Sequence, residues 1–182
     1  LALRYQDGSL VKEGGGAAGV NPCQPAVWDY LEEVALGAVD MGFDEVQFDY
    51  VRFPTGKSMD KVDYGVQEEV VRSDVIAGFL ERITDSIHAK GARVSADVFG
   101  TVITNQTDGT LIGQDYVQLA EIVDYICPMV YPSHYAAGAF GLDIPDQEPY
   151  QTVLAALSGS REAFSRRGIE KDAVRAWLQD FT

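Results

Sequence analysis

Positive charge is scarce in this chain. Fourteen Lys and Arg stand against 28 Asp and Glu, a formal net charge of -14 at pH 7, and such a balance repels phosphate backbones and anionic membrane surfaces. Nucleic acid is therefore not an expected partner. Cysteine is nearly absent: Cys23 and Cys127 lie far apart, with no further Cys or His at metal-ligand spacing. That supports neither a zinc site nor a disulfide framework, and Cys127 reads as a buried thiol, with an optional disulfide as the minor alternative. No run is long and apolar enough to span a bilayer, so membrane insertion is not expected of this segment. No signal-peptide pattern is visible in a sequence that begins at Leu1. Internal repeats and low-complexity tracts are also missing. Gly14-Gly15-Gly16 reads as a flexible loop and not as a phosphate cradle, because no strand precedes it.

What is present is a core. The 182 residues are 46% hydrophobic, enough for one sizeable domain spanning residues 1–182. Val27, Trp28, Leu31, Val34, Ala35 and Val39 recur at helical spacing between Pro25 and Met41, with Gly42 as the stop. The run Gly42 to Pro54 then alternates like a buried strand, and the segment from Thr55 to Gly65 reads as a loop. Val75, Ile76, Phe79, Leu80, Ile83 and Ile87 mark a second helix ended by Gly91. It feeds a strand from Arg93 to Gly100. A short helix from Asp115 to Ile122 leads to an apolar run from Asp124 to Pro132, whose Pro128 lacks a ladder donor. A helix from Pro149 to Arg167 is closed by Gly168, and Val174 to Phe181 reads as a fourth strand. Strands alternating with helices imply right-handed crossovers and a parallel sheet, an α/β fold.

The strand ends share a pattern. Side chains alternate faces along a strand, so Gln47 and Asp49 oppose Val46, Phe48 and Tyr50, and Ser95 and Asp97 oppose Val94, Ala96 and Val98. Trp177 and Gln179 likewise oppose Ala176 and Leu178. A doubly wound sheet needs apolar residues on both faces. A (β/α)₈ barrel instead has an inner face whose C-terminal rim carries the active site, and it fits better. Four strands are half of such a barrel, and the expectation is a partial TIM barrel, an internal fragment beginning in a loop and ending just after a strand.

Four segments then carry a resemblance: "GFDEVQFDYVRFP" (Gly42 to Pro54), "VSADVFG" (Val94 to Gly100), "VDYICPMVYPSHY" (Val123 to Tyr135) and "WLQDF" (Trp177 to Phe181). In order and over nearly the whole chain, they resemble the motifs of a bacterial family described as a putative glycosyl hydrolase domain, DUF4015. The resemblance implies a glycosidase-type (β/α)₈ barrel in which these motifs are strands four to seven. It also implies an extracellular or cell-envelope location.

Glycoside hydrolysis commonly needs two carboxyl groups flanking the scissile bond, one ionised and one protonated. Asp49 and Asp97, inward on neighbouring strands about 4.8 Å apart, are the expected pair, with Asp49 as nucleophile and Asp97 as general acid/base. Separations of about 5–5.5 Å mark retaining enzymes, and retention is favoured. The order resembles amylase-like barrels, which carry an arginine where this chain has Gln47 and a glutamate as the acid. Expected to bind the carbohydrate are Arg52 as a clamp, Tyr131 and Tyr135 as stacking faces, His134 as a donor, Trp177 as a subsite floor, and Gln179 and Asp180 at the rim. Glu68, Glu69 and Asp74 read as a solvated helix surface.

The function expected is hydrolysis of a polysaccharide or cell-envelope glycan, with no cofactor. A barrel that only binds carbohydrate is the alternative. A divalent metal on Asp49, Asp97 and His134 ranks last, for want of a second His.

Overall fold

The computed structural model describes residues 1–12, 16–66, 69–170 and 173–181. The Gly14-Gly15 part of the glycine loop and Glu68 lie outside the described residues. In chain order the elements are β1 (Arg4–Tyr5), α1 (Pro25–Asp40), β2 (Glu45–Phe48), β3 (Val62–Asp63), α2 (Arg72–His88) and β4 (Arg93–Phe99). They continue with α3 (Gln106–Ile112), α4 (Tyr116–Ile122), β5 (Tyr125–Val130), α5 (Pro149–Arg167) and β6 (Trp177–Leu178).

Four strands form a parallel sheet in the order β2-β4-β5-β6. One face takes the apolar set: Val94, Ala96, Val98, Ile126 and Val130 are fully buried. They belong to the same core as Ile76, Phe79, Leu80, Ile83 and Ile87 of α2. Phe48 meets Phe79 edge-on at 5.7 Å, and Trp28 of α1 closes on the same ring at 5.9 Å. The period-2 pattern of the strands and the 3.6 period of α2 thus meet in one core, which fixes register because a one-residue slip would turn every apolar side chain outward.

The opposite face is polar, and it curls. Arg175, beside β6, forks onto both oxygens of Glu45 in β2 at 2.7 and 2.9 Å. Those are the two outer strands of the sheet, three spacings of about 4.8 Å apart were the sheet flat. Trp177 of β6 reaches over β5 to Asp97 of β4. Contacts that skip strands require a concave face, and the sheet is a curled half-barrel. Ser95 Oγ also donates to Glu45, and the Arg175 guanidinium lies 3.2 Å from the centroid of the Tyr125 ring. A charged floor therefore closes the concave side below Asp97.

Several expectations need correction. The first strand stops at Phe48, because Tyr50 adopts a left-handed φ of 55° that no strand can continue through. Asp49 therefore sits just past the strand, and Tyr50, expected against the helices, is 72% exposed. Phe53 instead fills the core, with no exposed surface. The fourth strand is only Trp177–Leu178 plus a bridge from Val174 to Ile126, and Leu178 is exposed instead of covered. The beginning of the chain is not simply a loop: β1 pairs antiparallel with β3, and Leu3, Val11 and Val62 make a small second core. Helix α3, capped by Asn105, which accepts from Thr107 and Asp108 N–H, was not foreseen. Pro128 does sit inside β5. On the β6 side, Ile126 bonds Ala173 and Arg175 while pairing resumes only at Met129, so Pro128 falls where no ladder donor is needed.

Candidate active site

The C-terminal ends of β2, β4 and β5 open into a cleft of about 700 Å³, lined by Asp49, Tyr50, Arg52, Asp97, Tyr131, His134 and Tyr135 among others. Asp97 is its buried carboxyl, only 6% exposed. Its Oδ1 accepts from the Trp177 indole N–H at 2.9 Å and from the Gln47 side-chain amide. Desolvation pushes the Asp97 carboxyl above its usual range and the nearby Asp49 charge pushes it the same way, against the pull of those two hydrogen bonds. Both donors sit on Oδ1, and among the described residues Oδ2 has no hydrogen-bond partner. The carboxyl is thus oriented on one side and able to hold a proton on the other.

Asp49 differs in every respect. It is exposed, and its Oδ1 accepts from the Tyr50 N–H at 2.7 Å, closing a tight turn in which the Arg52 N–H also donates to the Tyr50 carbonyl at 2.8 Å. That turn ends β2 and places the carboxylate on the rim. Arg52 donates to the Phe53 carbonyl and holds its guanidinium 5.4 Å from the Tyr50 ring centroid and 5.3 Å from that of Phe99.

The far wall is aromatic. Tyr131, His134 and Phe181 pack edge to face, with Tyr131 5.3 Å from His134 and 5.2 Å from Phe181. Partial burial, then the charges of Asp97 and Asp49, raise the Tyr131 phenol, so it stays a neutral donor facing both carboxylates. Burial pushes Tyr135 up to about 12, and among the described residues its buried hydroxyl has no hydrogen-bond partner. Gly100 faces it: a Cβ there would come within 2.5 Å of Tyr135 Oη and of the Met129 carbonyl. Only glycine lets the end of β4 pass this wall. Beneath Asp97, burial lifts the Cys127 thiol to about 11, and Cys127 is a neutral spacer.

Trp177 touches the cleft through its indole N–H bond to Asp97. Gln179 and Asp180 are not in the cleft. Both line a separate groove of about 1010 Å³ between α5 and β6. The amide of Gln179 is already engaged, accepting from Ser133 N–H at 3.0 Å and donating to the Phe181 carbonyl at 2.9 Å. It holds the loop that carries His134. Among the described residues, no group of three or more His, Cys, Asp or Glu side chains is placed to hold a metal ion.

Sequence reasoning missed Gln114. It is 1% exposed, accepts from Phe99 N–H at 3.0 Å and donates to the carbonyls of Val51 and Asp97 at 3.2 and 3.3 Å. One amide therefore ties the turn after β2 to the end of β4. Between Gly113 and the helix cap Asp115 it reads as an ordinary connector, and no periodicity marks it. Gln114→Leu is expected to lower stability by about 2–4 kcal/mol, because three buried backbone groups lose their partner at once. Urea unfolding of the full-length protein measures this, and a loss below about 1 kcal/mol would mean that water takes over those bonds.

A curled parallel α/β half-barrel with an open cleft at the C-terminal ends of its strands places that cleft where (β/α) barrels carry their sites. Over residues 1–182 the chain matches the family DUF4015, described as "Putative glycosyl hydrolase domain", and it belongs to that family. Solved structures agree in fold. A putative sporulation-specific glycosylase, ydhD, from Bacillus subtilis superposes with a TM-score of 0.55 at 19% identity, covering 91% of this chain and 48% of that one. The glycoside hydrolase domain of PgaB (BpsB) from Bordetella bronchiseptica gives 0.61 at 13%, covering 94% and 54%. The spore cortex-lytic enzyme SleL of Bacillus megaterium QM B1551 gives 0.53 at 15%, covering 90% and 33%. The chain thus spans between a third and just over half of these solved chains. No curated protein matches it.

Proposed function

We propose that this domain belongs to a retaining glycoside hydrolase of a polysaccharide or cell-envelope glycan, with Asp49 as nucleophile and Asp97 as general acid/base. The observation that carries the reading is the contrast between the two: one exposed carboxylate on the rim, and one buried carboxyl held by Trp177 and Gln47 with its affinity for a proton raised, both in one cleft. Environments that push two carboxyl groups apart are what acid/base assignment requires. Asp97 protonates the glycosidic oxygen as the bond to the anomeric carbon breaks. Asp49 bonds that carbon, and water deprotonated by Asp97 then releases the sugar.

Tyr131, His134 and Tyr135 supply a wall for sugar rings, and Tyr131 and His134 supply donors for their hydroxyls. Arg52, wedged between Tyr50 and Phe99, clamps an oxygen at the mouth. The four parallel strands are read as the fourth to seventh of an eight-stranded barrel, and residues 1–182 as one unit of it. An envelope location is supported by the sporulation and spore-cortex context that the names of two solved relatives carry.

The test is hydrolysis by full-length protein of a panel of bacterial cell-wall and exopolysaccharide glycans, with the anomer first released followed by proton NMR. Release of the anomer matching the substrate linkage supports retention. The opposite anomer replaces it with inversion, and tight binding without any reducing-end release moves the domain to the carbohydrate-binding alternative.

A further inference from the structure

Three described residues other than glycine hold a left-handed φ: Tyr50, Ser58 and Phe140. For an L residue with a large side chain that conformation is unfavourable and persists only where the surroundings enforce it. Ser58 is small and lies in a loop. Phe140 recovers contact by packing its ring 5.1 Å from that of Tyr135. Tyr50 recovers almost nothing, since 72% of its surface stays exposed.

The backbone at residue 50 is explained by the turn, closed by the Asp49 carboxylate and the Arg52 N–H. The tyrosine side chain is not explained by it, because Gly, Asn or Asp would make the same turn at lower cost. Folding therefore gives no reason for an aromatic ring here. Its position does: Tyr50 lines the cleft beside Asp49 and Asp97, and the guanidinium of Arg52 lies against the ring. An exposed aromatic at the mouth of the cleft, with a guanidinium over its ring, is suited to offer a face to the apolar C–H side of a pyranose.

We propose that Tyr50 is a sugar-stacking platform at the entrance of the Asp49–Asp97 cleft, setting the orientation of the ring next to the scissile bond. The proposal rests on the glycosidase reading above. It differs from the sequence expectation, in which Tyr50 faces the helices and the aromatic sugar contacts are Tyr131, Tyr135 and Trp177.

The experiment titrates full-length protein calorimetrically with a panel of tetrasaccharides: β-linked N-acetylglucosamine, glucose and mannose, α-linked glucose, and a peptidoglycan tetrasaccharide. Native protein is compared with Tyr50→Gly and Tyr50→Trp, and each is melted without ligand. The expected result is a loss of about tenfold or more in affinity for Tyr50→Gly, with affinity kept within roughly threefold for Tyr50→Trp. The melting temperature of Tyr50→Gly should not fall, because glycine relieves the left-handed backbone. Equal affinity of native and Tyr50→Gly protein for a sugar that binds would overturn the platform and leave the glycosidase reading standing. A marked fall in melting temperature for Tyr50→Gly would show that the ring is packed in the whole protein, and would also overturn it. Failure of the native protein to bind any of the panel counts against both.

Discussion

Asp97→Asn in the full-length protein is expected to lower kcat by about 10²–10⁴-fold, the range for losing a positioned general acid, while the melting temperature at neutral pH stays level or rises. The two halves have one cause. The folded-state affinity of Asp97 for a proton is raised, first by desolvation and then by Asp49. Between the ordinary carboxyl value of 3.8 and the raised folded one, the native state binds more protons than the unfolded state. Stability from this group therefore falls as pH rises through that window, and the cost is fully present above it. Asparagine removes the charge and keeps an oxygen that can accept from Trp177 and Gln47. Activity and stability thus part company at this site, as at many sites built for chemistry. The pH profile gives a second readout: kcat/KM of the native protein should decline on the alkaline side as Asp97 loses its proton, and that limb should vanish in Asp97→Asn. A variant that melts well below the native protein would show that the Asp97 carboxylate is structural, and the acid would have to be sought elsewhere.

The helix-facing half of the sheet was legible because burial leaves a periodic trace. Val94, Ala96 and Val98 alternate with Ser95 and Asp97, and both sets lie where alternation put them. The same rule failed at the end of the preceding strand. Gln47 and Asp49 share parity only if the strand runs on, and it ends at Phe48 because Asp49 itself caps the Tyr50 N–H. A single side-chain hydrogen bond that ends a strand has no period. Gln114 escaped for a related reason: its three bonds join backbone groups far apart in the sequence, and nothing local requires glutamine there. Trp177 lies on the inner face where alternation puts it, and its indole N–H bonds Asp97. Gln179 shows how parity can suggest a ligand where the amide is already engaged by Ser133 and Phe181. Face and register are properties of patterns. Hydrogen-bond partners across the concave side are properties of curvature, which four short strands do not spell out.

Asp49→Asn carries the largest expected loss, about 10⁴-fold or more in kcat, because in the proposed mechanism it removes the atom that bonds the anomeric carbon. Binding should survive: asparagine is isosteric with aspartate, its side-chain oxygen can still accept the Tyr50 N–H, and the turn that shapes the rim is kept. The sharper readout is chemical rescue. With an aryl glycoside that the native protein cleaves, azide added to the truncated variant Asp49→Gly fills the space of the lost carboxylate, attacks the anomeric carbon as the aryloxide leaves, and yields a glycosyl azide of inverted configuration. Azide added to Asp97→Asn attacks after the Asp49 ester has formed, so that product retains configuration. Opposite anomers from the two variants assign the two roles independently of any rate. Both products inverted, or rescue of Asp97→Asn alone, would exclude Asp49 as nucleophile. An inverting mechanism would then be the simpler account, with carboxyl groups about 6.5–9.5 Å apart in the complete barrel and not the 5–5.5 Å of a retaining pair. The charge of Asp49 also adds to the proton affinity of Asp97, after desolvation. Loss of the Asp49 charge should therefore also lower the alkaline limb of the pH profile, a shift measurable on the residual activity of Asp49→Asn.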